Sequence, residues 1–286
     1  MNFETIKFEL REDGIGILTL NRPDRLNAMN FQMIEDLHAI LDHLMTNLDC
    51  RVLILKAEGR AFCAGLDLRE SVVLQSKKKP EELKEKFYFI RAPDKDLIKA
   101  KMYGQWRTSH LIVKMRKISQ PIIAIVQGPA TGGGFTFVLA ADIRIAGENA
   151  KLANSFINIG FSGADLASTY HLPRLIGMSR AAEILYTGRF VDAEEAERIG
   201  LVLKVIKGDE TKLLEAAIEV AKDLLTKSPL GLRMTKEAIN LSLDSPSLET
   251  IMQLENRSQM ICSTSDDLLE GVNAFFEKRK PSYPKL

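Results

Sequence analysis

The sequence predicts an α/β fold with parallel strands. Twice a short apolar run rich in strand formers leads into a glycine turn and then a helix: RVLILKA (51–57) before GRAFCAGLDL (59–68), and IIAIV (122–126) before GPATGGG. A repeated strand–turn–helix order calls for parallel strands joined by right-handed crossovers. The composition fits a packed core: 286 residues, 45% hydrophobic, with 39 Lys and Arg against 38 Asp and Glu for a formal charge of +1. A chain of this length buries roughly three quarters of its unfolded surface, enough for one large core or two modest ones. Balanced charge excludes a globally basic nucleic-acid or membrane-surface binder, and the apolar share excludes disorder.

Element by element, residues 3–10 and 14–20 read as two strands joined by a turn at Glu12-Asp13-Gly14, a hairpin signal. Residues 31–47 place Met33, Leu37, Ile40, Leu41 and Leu44 at helical spacing, with His38 and His43 assigned to the solvated side. Residues 69–105 are charge-dense and read as a surface insertion or lid, partly helical after Pro80. A helix over 106–116 leads to Pro121, a helix over 135–140 follows the triple glycine, and a strand follows at 142–146. Helices are expected at 179–186, 193–199, 212–225 and 231–243, with a long helical stretch from 247 to 276. The expected division is an α/β core over 1–200 and a helical part over 201–286.

The cysteines, Cys50, Cys63 and Cys262, are odd in number and far apart, which disfavours a disulfide framework. The four histidines form no metal-binding pair, and no apolar run is long enough to span a membrane. The first residues do not read as a secretory signal, so the expected location is the cytoplasm, with no metal, nucleic acid or membrane partner.

Two turns carry a chemical reading. Ala64-Gly65-Leu66-Asp67 follows one buried strand, and Gly132-Gly133-Gly134 follows another and opens a helix. Glycine allows close approach to backbone N–H groups, and a helix N-terminus favours negative charge. Two such turns brought together aim two N–H donors at one oxygen, forming an oxyanion hole. The same glycines also suit tight strand-to-helix packing, so both readings stand. A phosphate-binding loop does not fit, because Gly128-x₄-Gly133 is followed by Gly134-Phe135 and no lysine. Gly160-Phe161-Ser162-Gly163-Ala164 lacks the last glycine of a nucleophile elbow.

At these residues the sequence resembles the enoyl-CoA hydratase/isomerase (crotonase) family. The resemblance rests on LTLNRP (18–23) with LNAM (26–29), AFCAGLDL (61–68), PIIAIVQGPATGGGFTFVLAA (121–141), LPRLIG (172–177), TGR (187–189) and FEKRKP (276–281). It implies a crotonase-type spiral of ββα units with a helical C-terminal trimerisation region, forming trimers or dimers of trimers. It also implies an enzyme of acyl-CoA and fatty acid metabolism, a lyase or isomerase. No cofactor is implied beyond the coenzyme A carried by the substrate. By position, the backbone amides of Leu66 and Gly133 would hold the thioester oxygen. Arg25, Leu26, Ala64, Asp67 and Leu68 would line the coenzyme A site, and Phe276, Lys278 and Lys280 would close it, although a solvated tail explains those lysines equally well.

The family's two catalytic glutamates fall at Thr136 and Phe156 in this sequence, and neither residue exchanges a proton as a carboxylate does. One carboxylate falls in the right neighbourhood, Asp165, where the resemblance implies an aspartate like that of the isomerases and 4-chlorobenzoyl-CoA dehalogenase of this family. Asp165 reads either as an acid/base or nucleophile, or as the cap of a helix starting near Leu166. His110 and Ser155 are possible assistants, Tyr170 a weaker one, and Phe156, Trp106 and Phe89 candidate pocket walls. The resulting expectation is hydration or double-bond isomerisation of an enoyl- or dienoyl-CoA through an enolate. Open alternatives are a thioester or carbon–carbon hydrolase or dehalogenase-like enzyme using Asp165, and a non-catalytic acyl-CoA-binding protein. RNA binding through 77–86 is disfavoured by the interleaved Glu81, Glu82 and Glu85.

Overall fold

The computed structural model describes residues 1–73, 86, 97–245 and 247–283. Most of the expected insertion at 69–105, including Phe89 and the lysines at 77–79, lies outside the described residues.

Strands β1 (Ile6–Leu10) and β2 (Ile15–Leu20) form the expected antiparallel hairpin. Parallel strands β3 (Val52–Ala57), β4 (Ile122–Val126), β6 (Ile143–Gly147) and β9 (Lys204–Ile206) continue this sheet in the order β1-β2-β3-β4-β6-β9. Side chains alternate across a strand, so each central strand feeds two cores. Leu53 and Leu55 of β3, with Ile122, Ala124 and Val126 of β4, enter one core. Val52 and Ile54, with Ile123 and Ile125, enter the other. That is why these strands read as unbroken apolar runs.

Helix α1 (Phe31–Thr46) begins at an Asn30 cap whose side chain accepts from Met33 N–H at 3.0 Å. It buries Met33, Leu37, Ile40 and Leu44 in the first core. A short helix, α2 (Leu68–Val73), follows the first glycine turn, and α3 (Leu97–Lys117) packs on α1. Helix α4 (Gly133–Ala140) is buried on every side. Next come α5 (Ser168–Ile176), α6 (Met178–Thr187), α7 (Ala193–Arg198) and α8 (Glu210–Leu225). Leu213, Ala217 and Ala221 of α8 cover the second face of the sheet, so the core draws on the chain as far as Leu225. The chain ends in α9 (Pro229–Ser242), α10 (Leu248–Ser263) and α11 (Asp266–Glu277).

Three expectations need correction. The long helical stretch expected over 247–276 is divided into two helices. Thr264 and Ser265 hydroxyls donate back to Ile261 and Cys262 carbonyls, and Ser265-Asp266-Asp267 is a helix-start signal. A second sheet was not foreseen: β5 (Pro129–Thr131), β7 (Lys151–Ala153) and β8 (Val191–Asp192) are two or three residues each, too short to show a period.

The third correction concerns His38, which is 2% exposed instead of solvated. Its Nε2–H donates to the Arg107 carbonyl at 2.8 Å, while Nδ1 is buried with no partner among the described residues. Burial pushes the His38 pKa down to about 4, and burial with nearby arginines does the same to His171. A folded pKa below the unfolded value of about 6.5 means that the unfolded chain takes up protons first as the pH falls. Stability is therefore whole above pH 6.5 and is lost toward pH 4, by up to about 2 kcal/mol per histidine at pH 5. Denaturant unfolding at pH 7 and pH 5 should show a smaller loss for His38→Gln than for the natural sequence. Equal losses would contradict this assignment.

Candidate active site

The second sheet builds the site. Cys63 forms a parallel bridge with Ala130, and Met29 forms one with Leu66, so the first glycine turn lies against the strand that leads into α4. The Met29 bridge uses the Gly65 carbonyl (2.7 Å) and the Asp67 N–H (2.9 Å), which leaves the Leu66 N–H directed away from it. Gly65 has φ +89°, and a Cβ there would come within 2.9 Å of the Thr131 carbonyl and 3.4 Å of Gly133 N. Only glycine lets the two turns approach this closely.

Gly132, with φ +52° and ψ −121°, caps α4. It donates to the Ala153 carbonyl at 3.0 Å and accepts from Thr136 N–H at 3.1 Å. Gly133 is the first residue of the helix, where an N–H has no partner within the helix. The turn that carries Leu66 thus lies against the N-terminus of α4, where the Gly133 N–H has no helical partner and negative charge is favoured.

Thr136 is fully buried, and its hydroxyl donates to the Gly133 carbonyl at 2.8 Å. Phe156, on a 3-10 turn over Ser155–Ile159, packs its ring beside Gly132, with the Ser155 hydroxyl alongside. The wall at these two positions is an apolar ring and an internally bonded hydroxyl. Leu166 completes it, its side chain meeting Gly133 and Met29. Cys63 is also here, but burial pushes its thiol up to about 12, so it stays protonated at neutral pH.

Asp165 immediately precedes Leu166. Its carboxylate does not cap α5: that helix starts at Ser168 with Ala167 as the cap and no capping side chain. Leu166 (φ 46°) and Ala167 (φ 60°) both adopt the left-handed conformation, costly for non-glycine residues and a mark of functional loops. Asp165 Oδ1 accepts from Leu166 N–H at 2.8 Å and from the Gln105 side-chain amide at 2.5 Å. Desolvation raises the Asp165 pKa, and these two donors partly oppose it.

The α3 residue that reaches Asp165 is therefore Gln105. His110 instead stacks on Trp106, centroids 4.1 Å apart, and Tyr103 extends the same row. Tyr170 is bound elsewhere: its hydroxyl donates to Asp244 at 2.9 Å. Nothing in the spacing of the sequence ties Gln105 to a residue 60 positions later, and it was not anticipated.

The proposed coenzyme A residues divide. Arg25 and Leu68 are exposed at the rim, and Leu26 accepts from Ala64 N–H at 3.0 Å, placing both beside the first turn. Asp67 pairs with Arg22 at 3.2 Å, which gives it a structural partner. Asn27 was also not singled out. It is fully buried at φ 53°, accepts from Arg22 N–H at 2.7 Å and donates to the Glu58 and Ala61 carbonyls, locking the loop that presents Leu26.

Phe276, Lys278 and Lys280 are not brought to this site within one chain. Phe276 sits in the last turn of α11 and Lys278 and Lys280 come just after it; α11 packs against α10 and holds Ser228 through Asp267 at 2.7 Å. Phe276, 76% exposed, borders a groove of about 1180 Å³ between α9, α10 and α11. No cluster of three metal-binding side chains occurs among the described residues. Nor is any described helix long and apolar enough to cross a membrane.

Comparison with known proteins agrees with this architecture. The family model for enoyl-CoA hydratase/isomerase matches residues 10–285. A Mycobacterium tuberculosis protein named as a probable enoyl-CoA hydratase is 36% identical over 94% of this chain and 89% of its own length. The 1,2-epoxyphenylacetyl-CoA isomerase of Escherichia coli is 34% identical over 95% of each chain. The crystal structure of an enoyl-CoA hydratase from Bacillus anthracis superposes with a TM-score of 0.85 at 31% identity, covering 99% of this chain and all of that one. The chain belongs to the enoyl-CoA hydratase/isomerase family, whose members act on acyl-CoA thioesters.

Proposed function

We propose that the protein shifts the double bond of an enoyl-CoA, with Asp165 as its single acid/base and the Leu66 and Gly133 amides holding the thioester oxygen. The observation that carries this reading is the Asp165 carboxylate, desolvated and one residue from the Leu166 side chain that packs on Gly133.

Asp165 removes a proton from the carbon γ or α to the thioester. The C–H electrons move into the conjugated system, and negative charge reaches the thioester oxygen between the two amides. The same carboxyl returns its proton to the other carbon of the system, giving the isomer with no co-reactant. Hydration asks for one group to activate water and another to protonate carbon, and the walls at Thr136 and Phe156 supply neither.

Arg25, Leu26, Ala64, Asp67 and Leu68 would border the coenzyme A, with Phe276, Lys278 and Lys280 contributed by a neighbouring chain. Sedimentation should then give three or six times the 32.0 kDa chain mass, and a species at the chain mass alone would remove that part. The reaction itself is tested by incubating a panel of enoyl-, dienoyl- and aryl-CoA thioesters and resolving products by mass spectrometry and NMR. Isomers of unchanged mass are expected. Products one water heavier, or free coenzyme A, would point to hydration or hydrolysis.

A further inference from the structure

We infer that Gln105 is a positioning residue for Asp165, occupying one carboxylate oxygen so that the other, Oδ2, takes and returns the proton. The inference rests on the reading of Asp165 as the base.

Both donors to the Asp165 carboxylate converge on Oδ1: the Leu166 N–H at 2.8 Å and the Gln105 Nε2 at 2.5 Å. The donors come from different elements. Leu166 N–H belongs to the left-handed turn that carries Asp165, while Gln105 reaches across from α3. One fixes the carboxylate to its own loop, and the other fixes its rotation. Asp165 N–H in turn donates to the Ser168 hydroxyl at 3.3 Å, which itself donates to the Gly163 carbonyl, so the loop is braced on both sides. Oδ2 has no partner among the described residues.

An oxygen that already accepts two hydrogen bonds has little capacity left for a proton, whereas its free twin keeps its lone pairs. A glutamine suits this role because its amide donates without a charge that would neutralise the base. The groups facing Asp165 are the Gln105 amide on α3, the Leu166 N–H on its own loop and the Ser168 hydroxyl on α5. No charged side chain contributes to its environment among the described residues. Removing Gln105 therefore leaves desolvation less opposed, and the carboxylate holds its proton to higher pH.

The test is the pH profile of kcat for Gln105→Ala and Gln105→Glu, beside Asp165→Asn, on whichever thioester the protein turns over. Gln105→Ala should lower kcat about tenfold with KM within about twofold, and move the acidic limb at least ~0.5 pH unit upward. Gln105→Glu should move it further, by like-charge repulsion. Gln105 is exposed, so both variants should unfold at the natural temperature. An acidic limb that stays in place in Gln105→Ala overturns the inference whatever happens to kcat. If Asp165→Asn is inactive in that case, the base assignment survives and only the role of Gln105 is lost. If Asp165→Asn turns over normally, the base assignment itself fails.

Discussion

Asp165→Asn is expected to lower kcat about 10³-fold while leaving the thioester Kd within about threefold, because it removes the proton-accepting group and keeps the shape. The separation of the two quantities carries the meaning. The Leu66 and Gly133 amides remain to hold the ground-state thioester, and the residues at the first turn are untouched. The Leu166 N–H can still donate to the asparagine oxygen, so the loop keeps its form. The natural enzyme should lose activity as the pH falls through the Asp165 pKa. Desolvation raises that point from the ordinary aspartate value, so the fall begins at a higher pH than for an exposed aspartate. Stopped assays and isothermal titration with a saturated acyl-CoA would measure the two halves.

Gly134→Ala is expected to damage both folding and turnover. A Cβ at Gly134 would lie 2.2 Å from the Cys63 carbonyl oxygen and 2.6 Å from Cys63 Cβ. Neither atom can swing aside, since Cys63 is fully buried and its carbonyl accepts from Thr131 N–H at 2.9 Å. Overpacking of this kind costs about 1–3 kcal/mol or more. For a chain of this size that is a drop of roughly 3–10 °C in Tm. The protein that remains folded must accommodate the methyl by moving α4 away from the first turn. That separates the Gly133 amide from the Leu66 amide, and the loss of one aligned donor costs about 10²–10³ in kcat. Calorimetry and turnover of the folded fraction would check both effects; a variant with natural Tm and kcat would show that the two turns are not held as described.

The frame of this fold was legible because its signals are local. Apolar runs along 52–57 and 122–126 and the glycines at 65 and 132–134 each announce themselves within a few residues. The small sheet did not, because its strands exist only by pairing with each other and with single residues such as Cys63 and Leu66. Burial of His38 was hidden for a similar reason: its partner is a backbone carbonyl 69 residues away on α3. At the site, sequence pattern picked out the two glycine turns, and the family resemblance pointed to Asp165. It left a helix-cap role open for that carboxylate, which the start of α5 at Ser168 removes. Gln105 had no local signature, since an exposed glutamine gains meaning only from what the fold sets opposite it.

The most direct test of the central claim is hydrogen exchange into an enoyl-CoA in D₂O, followed by NMR at the α and γ carbons. The natural protein is expected to exchange hydrogen at those positions or to carry it from one carbon to the other through Asp165, and Asp165→Asn to bind the same thioester yet do neither within the same time. Exchange or hydrogen transfer that continues in Asp165→Asn would contradict an enolate formed by Asp165.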